Sequence, residues 1–204
     1  MNINWYGSTC FKITASKGKG EQVSIIIDPP DEESGIRGPK LEADILLLTD
    51  PAQKIEKGEF FLIDMPGEYD VKEIFAQGIH VASPSVIYVI QAEDIRICHL
   101  GKMRQEELSS EQLETIGTID ILMLPVGGGK SLTAETAAKI MSQIEPKITI
   151  PMYYSIDKSK EKIDKLNVFL KVLGIENPEK SEKLSIKKKD LPQEDETKII
   201  VLEA

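Results

Sequence analysis

Histidine and cysteine are nearly missing from this sequence: two of each occur among 204 residues, at His80, His99, Cys10 and Cys98. A catalytic zinc site draws three protein ligands from His, Cys and carboxylates and leans on histidine, so two histidines in unrelated contexts are too few for a binuclear centre. The cysteines sit far apart in apolar, strand-like runs without CxxC spacing. That excludes a disulfide framework and predicts two small core hydrophobes in a reduced, cytoplasmic setting. Basic residues are outnumbered, 25 Lys and Arg against 34 Asp and Glu, for a net charge of -9. Nucleic acid and anionic membrane are therefore excluded as partners, since both need clustered cations. No apolar run approaches the ~20 residues a membrane helix requires, and no charged start with an apolar segment precedes residue 30. The nucleotide and nucleophile motifs GxGxxG and GxSxG are absent. The stretch "LPVGGGKSLT" fails the phosphate-loop pattern because Leu124 stands where its first glycine belongs, so it reads as a structural glycine turn.

What is present is ordinary globular material: 41% hydrophobic and 29% charged residues, enough for one domain over residues 1–204. The first hundred residues read as strands. "MNINWYG", "TCFKITAS" and "QVSIIID" form a meander, "ADILLLTD" is a buried strand emptying onto a turn, and "FFLID", "EIFAQGIHV", "VIYVIQA" and "IRICHL" suggest a second antiparallel patch. The turn at Ser83, Pro84 and Ser85 separates two of them. Beyond residue 105 helices alternate with strands. "SSEQLETIG" has Ser109 or Ser110 as N-cap and closes on Gly117, and "TAETAAKIMSQIE" is capped by Thr133. A lysine-rich amphipathic helix is predicted over about 157–173 with its charges in solvent, and "KLSIKKKDL" with "TKIIVLEA" reads as a final strand pair joined by a mobile connection at 192–196. Strands followed by βα units suit a two-sheet sandwich with helices outside.

The succession "INWYGSTCFKI", "IIIDPP", "ADILLLT", "DMPGEYDVKEIFAQGI", "VIYVIQAEDIRICHLG", "IDILMLPVGGG" and "PKITIPMYY" resembles the metallo-β-lactamase-fold hydrolases, in particular the ascorbate-6-phosphate lactonase-like branch. The resemblance covers nearly the whole chain. It implies an α/β fold, a four-layer αββα sandwich, with any site on the strand-end edge between the sheets. In that family the aliphatic strand ends in Thr and HxHxDH, whose side chains hold two metals. Here Thr49 is followed by Asp50, Pro51, Ala52, Gln53, Lys54 and Ile55. The family's "GHS" appears as Gly7, Ser8 and Thr9, its bridging aspartate falls on Lys102, and its late histidine on Tyr153. Hydrolysis in the family depends on a metal-bound hydroxide, so the resemblance implies an erased metal motif.

The leading expectation is a non-hydrolytic pseudoenzyme with a binding or assembly role, without metal or other cofactor, taking a small anionic ligand and able to form a homo-oligomer. Its vestigial pocket would comprise Asp50, Lys54, Glu68, His99, Lys102 and Tyr153. The alternative is a lactonase- or phosphoesterase-type hydrolase of a small phosphorylated or lactone substrate, with Asp50, Glu68, Lys102 and His99 as acid-base groups. His99 also reads as a hydrogen-bonded structural histidine. Asp50 and Lys102 are expected to face one cavity and to pair across it.

Overall fold

The structure, a computed structural model, describes residues 1–55, 58–82, 85–157, 159–193 and 197–204, with the side chains of all of these but Lys19 and Glu32. Residues 83–84 of the expected turn at 83–85 and residues 194–196 of the expected connection at 192–196 lie outside the described residues.

Strands β1 (Asn2–Trp5), β2 (Phe11–Ser16) and β3 (Gln22–Ile27) form the predicted antiparallel meander. Strands β4 (Ile45–Leu47) and β5 (Phe61–Ile63) then add to β3 in parallel. This corrects the placement of "FFLID": it extends the first sheet and does not belong to the later antiparallel group. That group is β6 (Gly67–Val71), β7 (Ile74–His80), β8 (Val86–Ala92) and β9 (Ile95–His99). Helix α1 (Ser110–Ile116) leads to β10 (Ile121–Pro125), helix α2 (Ala134–Ile144) to β11 (Ile148–Met152), and helix α3 (Leu166–Val172) to β12 (Glu179–Ser181), β13 (Leu184–Ser185) and β14 (Lys198–Leu202).

The strands make two sheets, one ordered β13-β1-β2-β3-β4-β5 and the other β12-β14-β11-β10-β9-β8-β7-β6. One apolar core runs between them, and the alternation of side chains explains it. Ile25, Ile27, Ile45 and Leu47 point into this core, while Ile26, Leu46 and Leu48 point the other way and pack under Ala43, Ile55 and Phe60. The ILLL run is continuous because both of its faces are covered. Helices α1 and α2 flank the eight-stranded sheet, with α3 packed on α2. On the outer face of the six-stranded sheet, Ile55 and Phe60 of the segment after β4 pack on Ile26, Leu46 and Leu48.

Both sequence-predicted caps are in place. The Ser109 hydroxyl accepts from the Gln112 backbone N–H while the Gln112 side chain accepts from Ser109, a complete capping box, and Thr133 caps α2. The long helix predicted from residue 157 begins only at Leu166. Tertiary hydrogen bonds claim the earlier residues: the Asp164 N–H donates to the Gly127 carbonyl at 2.8 Å, the Asp164 carbonyl accepts from Ser155, and the Lys160 N–H donates to the Ser34 carbonyl. A backbone tied outward in this way cannot also serve an i to i-4 ladder. The expected final strand pair is likewise corrected, because β13 joins β1 whereas β14 lies between β11 and β12.

Candidate functional site

Strands β3 and β4 of one sheet and β9, β10 and β11 of the other run so that their C-terminal ends meet on one edge. Parallel strand ends of this kind are where α/β folds place ligands. A cavity of about 480 Å³ opens there, within the range of small-molecule sites. Ser8 and Thr9 from the β1–β2 turn line it, together with residues that follow each of the converging strands.

Its floor is a buried polar corner. Asp28, which follows β3, is 6% exposed, and its carboxylate accepts from the Thr49 N–H at 2.7 Å and from the Thr49 hydroxyl at 2.6 Å. Thr49 is the last residue of the "LLLT" run, so two strand ends are fastened side by side at the cavity. A further bond ties the corner to the other sheet, from the Val86 N–H to the Thr49 carbonyl.

His99 closes the corner from β9. It is fully buried; its Nε2 donates to the Thr9 carbonyl at 2.9 Å and its Nδ1 accepts from the Gly101 N–H at 3.1 Å. An N–H donor facing Nδ1 requires the neutral Nε2-protonated imidazole, and burial correspondingly holds its pKa below the ordinary value. His99 is therefore the structural histidine among the two readings, with both ring nitrogens committed to backbone. The unfolded chain binds a proton at this residue near pH 6.5 and the native state does not, so stability falls as pH drops below 6.5 toward the depressed native pKa. In urea unfolding between pH 6.5 and 5, the parent is expected to lose up to about 1.4 kcal/mol per pH unit relative to a His99→Gln variant. Parallel pH profiles for the two proteins would contradict this assignment.

On the far wall, Lys102 occupies the position that the resemblance gives to a bridging aspartate. It pairs not with Asp50 but with Glu161, Nζ to Oε1 at 3.2 Å, and lies 4.9 Å from the centroid of the Tyr153 ring. The Tyr153 hydroxyl donates to the same Glu161 oxygen at 3.4 Å, and burial, then the Glu161 carboxylate, pushes its pKa up to about 12. Tyr153 and Ser8 both have positive φ, 51° and 50°, and are joined by a 3.0 Å bond from the Tyr153 N–H to the Ser8 carbonyl. Two non-glycine residues in the left-handed region at one contact mark local strain beside the cavity, which Ser8 lines and the buried Tyr153 does not.

The expected Asp50–Lys102 pair is thus corrected. Both residues line the cavity, but Asp50 turns back on its own loop, accepting from the Ala52 N–H at 2.9 Å. That local Asx turn costs less ordering than a bridge across solvent. Of the other predicted site residues, Lys54 is exposed and outside the described lining, and Glu68 stands exposed on edge strand β6 beside Gln77. His80 is exposed on β7. Sequence reasoning missed Asp28, Arg104, Lys130, Lys160 and Glu161. Asp28 had a usable signal, an acid ending an aliphatic strand just as Asp50 does; Glu161 was hidden in a stretch that reads as a solvated helix. In the glycine turn after β10, Gly127 is required by packing, because a Cβ there would stand 2.4 Å from the Tyr153 carbonyl.

Whether this donor set fits the family's metals follows from its chemistry. Among the described residues no three His, Cys, Asp or Glu side chains are gathered as ligands. Asp28 has both oxygens engaged by Thr49, Asp50 caps its loop, and an ammonium stands at the bridging position. These residues do not fit a zinc or binuclear centre.

A two-sheet sandwich with a polar cavity at its strand-end edge defines the architecture of the metallo-hydrolase sandwiches. Residues 2–153 match the family described as the Beta-lactamase superfamily domain, and the chain belongs to the metallo-β-lactamase superfamily. It is similar to a UPF0173 protein of Pyrococcus abyssi, 27% identical with 76% of this chain and 83% of the relative covered. A shorter match, 29% identical over 33% of this chain and 30% of the relative, is to a UPF0173 metal-dependent hydrolase of Pyrococcus horikoshii. Among solved structures, a protein of Thermotoga maritima described as a Zn-dependent hydrolase of the metallo-β-lactamase superfamily superposes with a TM-score of 0.82 at 29% identity over 100% of both chains. A metallo hydrolase of Ignicoccus hospitalis shares the fold, with a TM-score of 0.63 at 16% identity over 91% of this chain and 99% of its own.

Proposed function

We propose that this chain is a cytoplasmic, non-hydrolytic member of the superfamily, within the lactonase-like branch, that binds a small ligand through an anionic group and uses no catalytic metal. One observation carries the reading. Where the family resemblance would place the metal-bridging carboxylate, the cavity holds the Lys102 ammonium, fixed by Glu161 and lying against Tyr153. A cation at that point repels a divalent ion and attracts an anion. Arg104, Lys130 and Lys160 line the same wall, which favours a phosphate or carboxylate there. Burial raises the pKa of both cysteine thiols, which suits inert core residues in a reducing compartment. Assembly with further copies, the other role open to a sandwich without turnover, is part of the same proposal.

The second reading is a hydrolase of a small phosphorylated or lactone substrate, favoured by the names of the relatives. Elemental analysis of dialysed protein, with a lactonase and phosphodiesterase screen, separates the two. The expected result is zinc, manganese and iron far below one per chain, no turnover above blank, and a melting temperature unmoved by chelator. Near-stoichiometric metal retained at the cavity, with turnover that chelation abolishes, would overturn the proposal in favour of the hydrolase.

A further inference from the structure

The two walls of the cavity carry opposite charge, and the division follows the two sheets. The loops after β3 and β4 contribute Asp28, Asp31, Glu33 and Asp50. The loops after β9, β10 and β11 contribute Lys102, Arg104, Lys130 and Lys160. Glu161 is the one carboxylate on the basic side, and Lys102 answers it at 3.2 Å.

Opposite walls this close would be expected to close on each other through ion pairs, yet among the described residues no cation of one wall reaches a carboxylate of the other within 4.0 Å. Local backbone bonds hold several of the groups in place. Asp31 accepts from the Ser34 N–H at 2.7 Å and Asp50 from the Ala52 N–H, while the Arg104 Nε donates to the Lys130 carbonyl at 3.0 Å and, among the described residues, its terminal nitrogens make no hydrogen bond. A ligand with negative charge alone would be attracted by one wall and repelled by the other. Among the described residues five carboxylates and four cations line the space, so a simple anion complements only half of it.

We infer that the cavity takes a small zwitterion, with a phosphate or carboxylate toward Arg104, Lys130 and Lys160 and an ammonium toward the acidic wall of Asp31, Glu33 and Asp50. Such a molecule bridges the two sheets and supplies each wall with the charge it lacks. The inference rests on the proposed binding role and names the ligand class for it. Because the walls are open to solvent, each contact is individually weak and sensitive to salt.

The test is calorimetric titration at low salt with phosphoethanolamine and phosphopropanolamine, each compared with the alkyl phosphate and the alkylamine of the same length. The expected result is that at least one aminoalkyl phosphate binds about tenfold more tightly than its alkyl phosphate, while the alkylamines bind not at all. A D31N, E33Q double variant should reduce the aminoalkyl phosphate to the affinity of the alkyl phosphate. A K130M, K160M double variant should weaken both. All four positions are exposed, so these variants are expected to keep the parent's melting temperature. Equal affinity for the two phosphates in the parent would overturn the zwitterion and leave the anion-binding role standing. No binding at millimolar concentration by these compounds, or by glycine and β-alanine as the carboxylate counterparts, would overturn both.

Discussion

A Gly101→Ala variant is expected to lose about 3 kcal/mol of stability and to melt roughly 6 to 12 °C below the parent. Gly101 follows His99 by two residues and has φ +56°, where an L side chain costs about 1–2 kcal/mol. The larger difficulty is space. A Cβ there would lie 2.4 Å from the Thr49 Oγ1 and 2.6 Å from the Thr49 Cβ. Thr49 cannot swing aside, because its hydroxyl and its N–H are both held by Asp28. Gly174→Ala supplies the control: φ is +69° and nothing lies within 4 Å of the added carbon, so only the backbone cost remains. Denaturant unfolding of the two variants checks the claim. Equal losses at the two positions would mean that Gly101 and Thr49 are not packed as described.

The second large effect is expected at Asp28. Asp28→Ala strands the buried Thr49 N–H and hydroxyl together, at a cost of about 3 kcal/mol. Asp28→Asn is expected to cost about 1 kcal/mol, because the amide oxygen can still accept from the Thr49 N–H and its nitrogen can donate to the Thr49 hydroxyl. Adding Thr49→Val to Asp28→Ala removes one of the two orphaned groups, so the double variant should be more stable than the sum of its parts. Additivity in this cycle, or an alanine variant as stable as the asparagine one, would contradict the buried corner. Neither experiment touches Lys102, Arg104, Lys130 or Lys160, so both read the scaffold separately from the ligand.

The strands were legible in the sequence wherever apolar runs or alternation were strong, as in "SIIID", "ILLL" and "DILMLP", and the helix caps were legible because Ser109 and Thr133 act on their own next turn. Pairing partners were less so. β5 is three residues long and could have joined either sheet; its parallel pairing with β4 is a tertiary outcome that no local pattern specifies. The edge strand β6, "GEYDV", carries mostly exposed polar side chains and gave no apolar signal. The helix expected over 157–173 rests on Ile163, Leu166, Phe169, Leu170 and Leu173; Ile163 alone belongs to its first half, where long-range bonds from Lys160 to Ser34 and from Asp164 to Gly127 take the backbone instead.

The candidate site divides in the same way. Asp50, Lys102, Tyr153 and His99 could be located from the family resemblance because each ends or follows a strand, whereas who pairs with whom could not. Glu161 reaches Lys102 across 59 residues of sequence, a contact that no local rule contains. The sign pattern of the two walls is equally invisible in linear order, since the nine charges among the described residues come from five separate loops.

Strands β12 and β13 have a consequence for how the chain is made. Only Glu182 and Lys183 separate them, yet β12 pairs with β14 in one sheet and β13 with β1 in the other. The edge of β1 is therefore paired by residues synthesised some 180 positions later, Asn2 opposite Ser185. At ribosomal speeds of about 5–20 residues per second, the amino-terminal edge stays open for roughly ten to forty seconds before its partner exists. Throughout that interval the meander can present its backbone donors and acceptors to a neighbouring nascent chain. Truncation before residue 184 would leave that window permanently open.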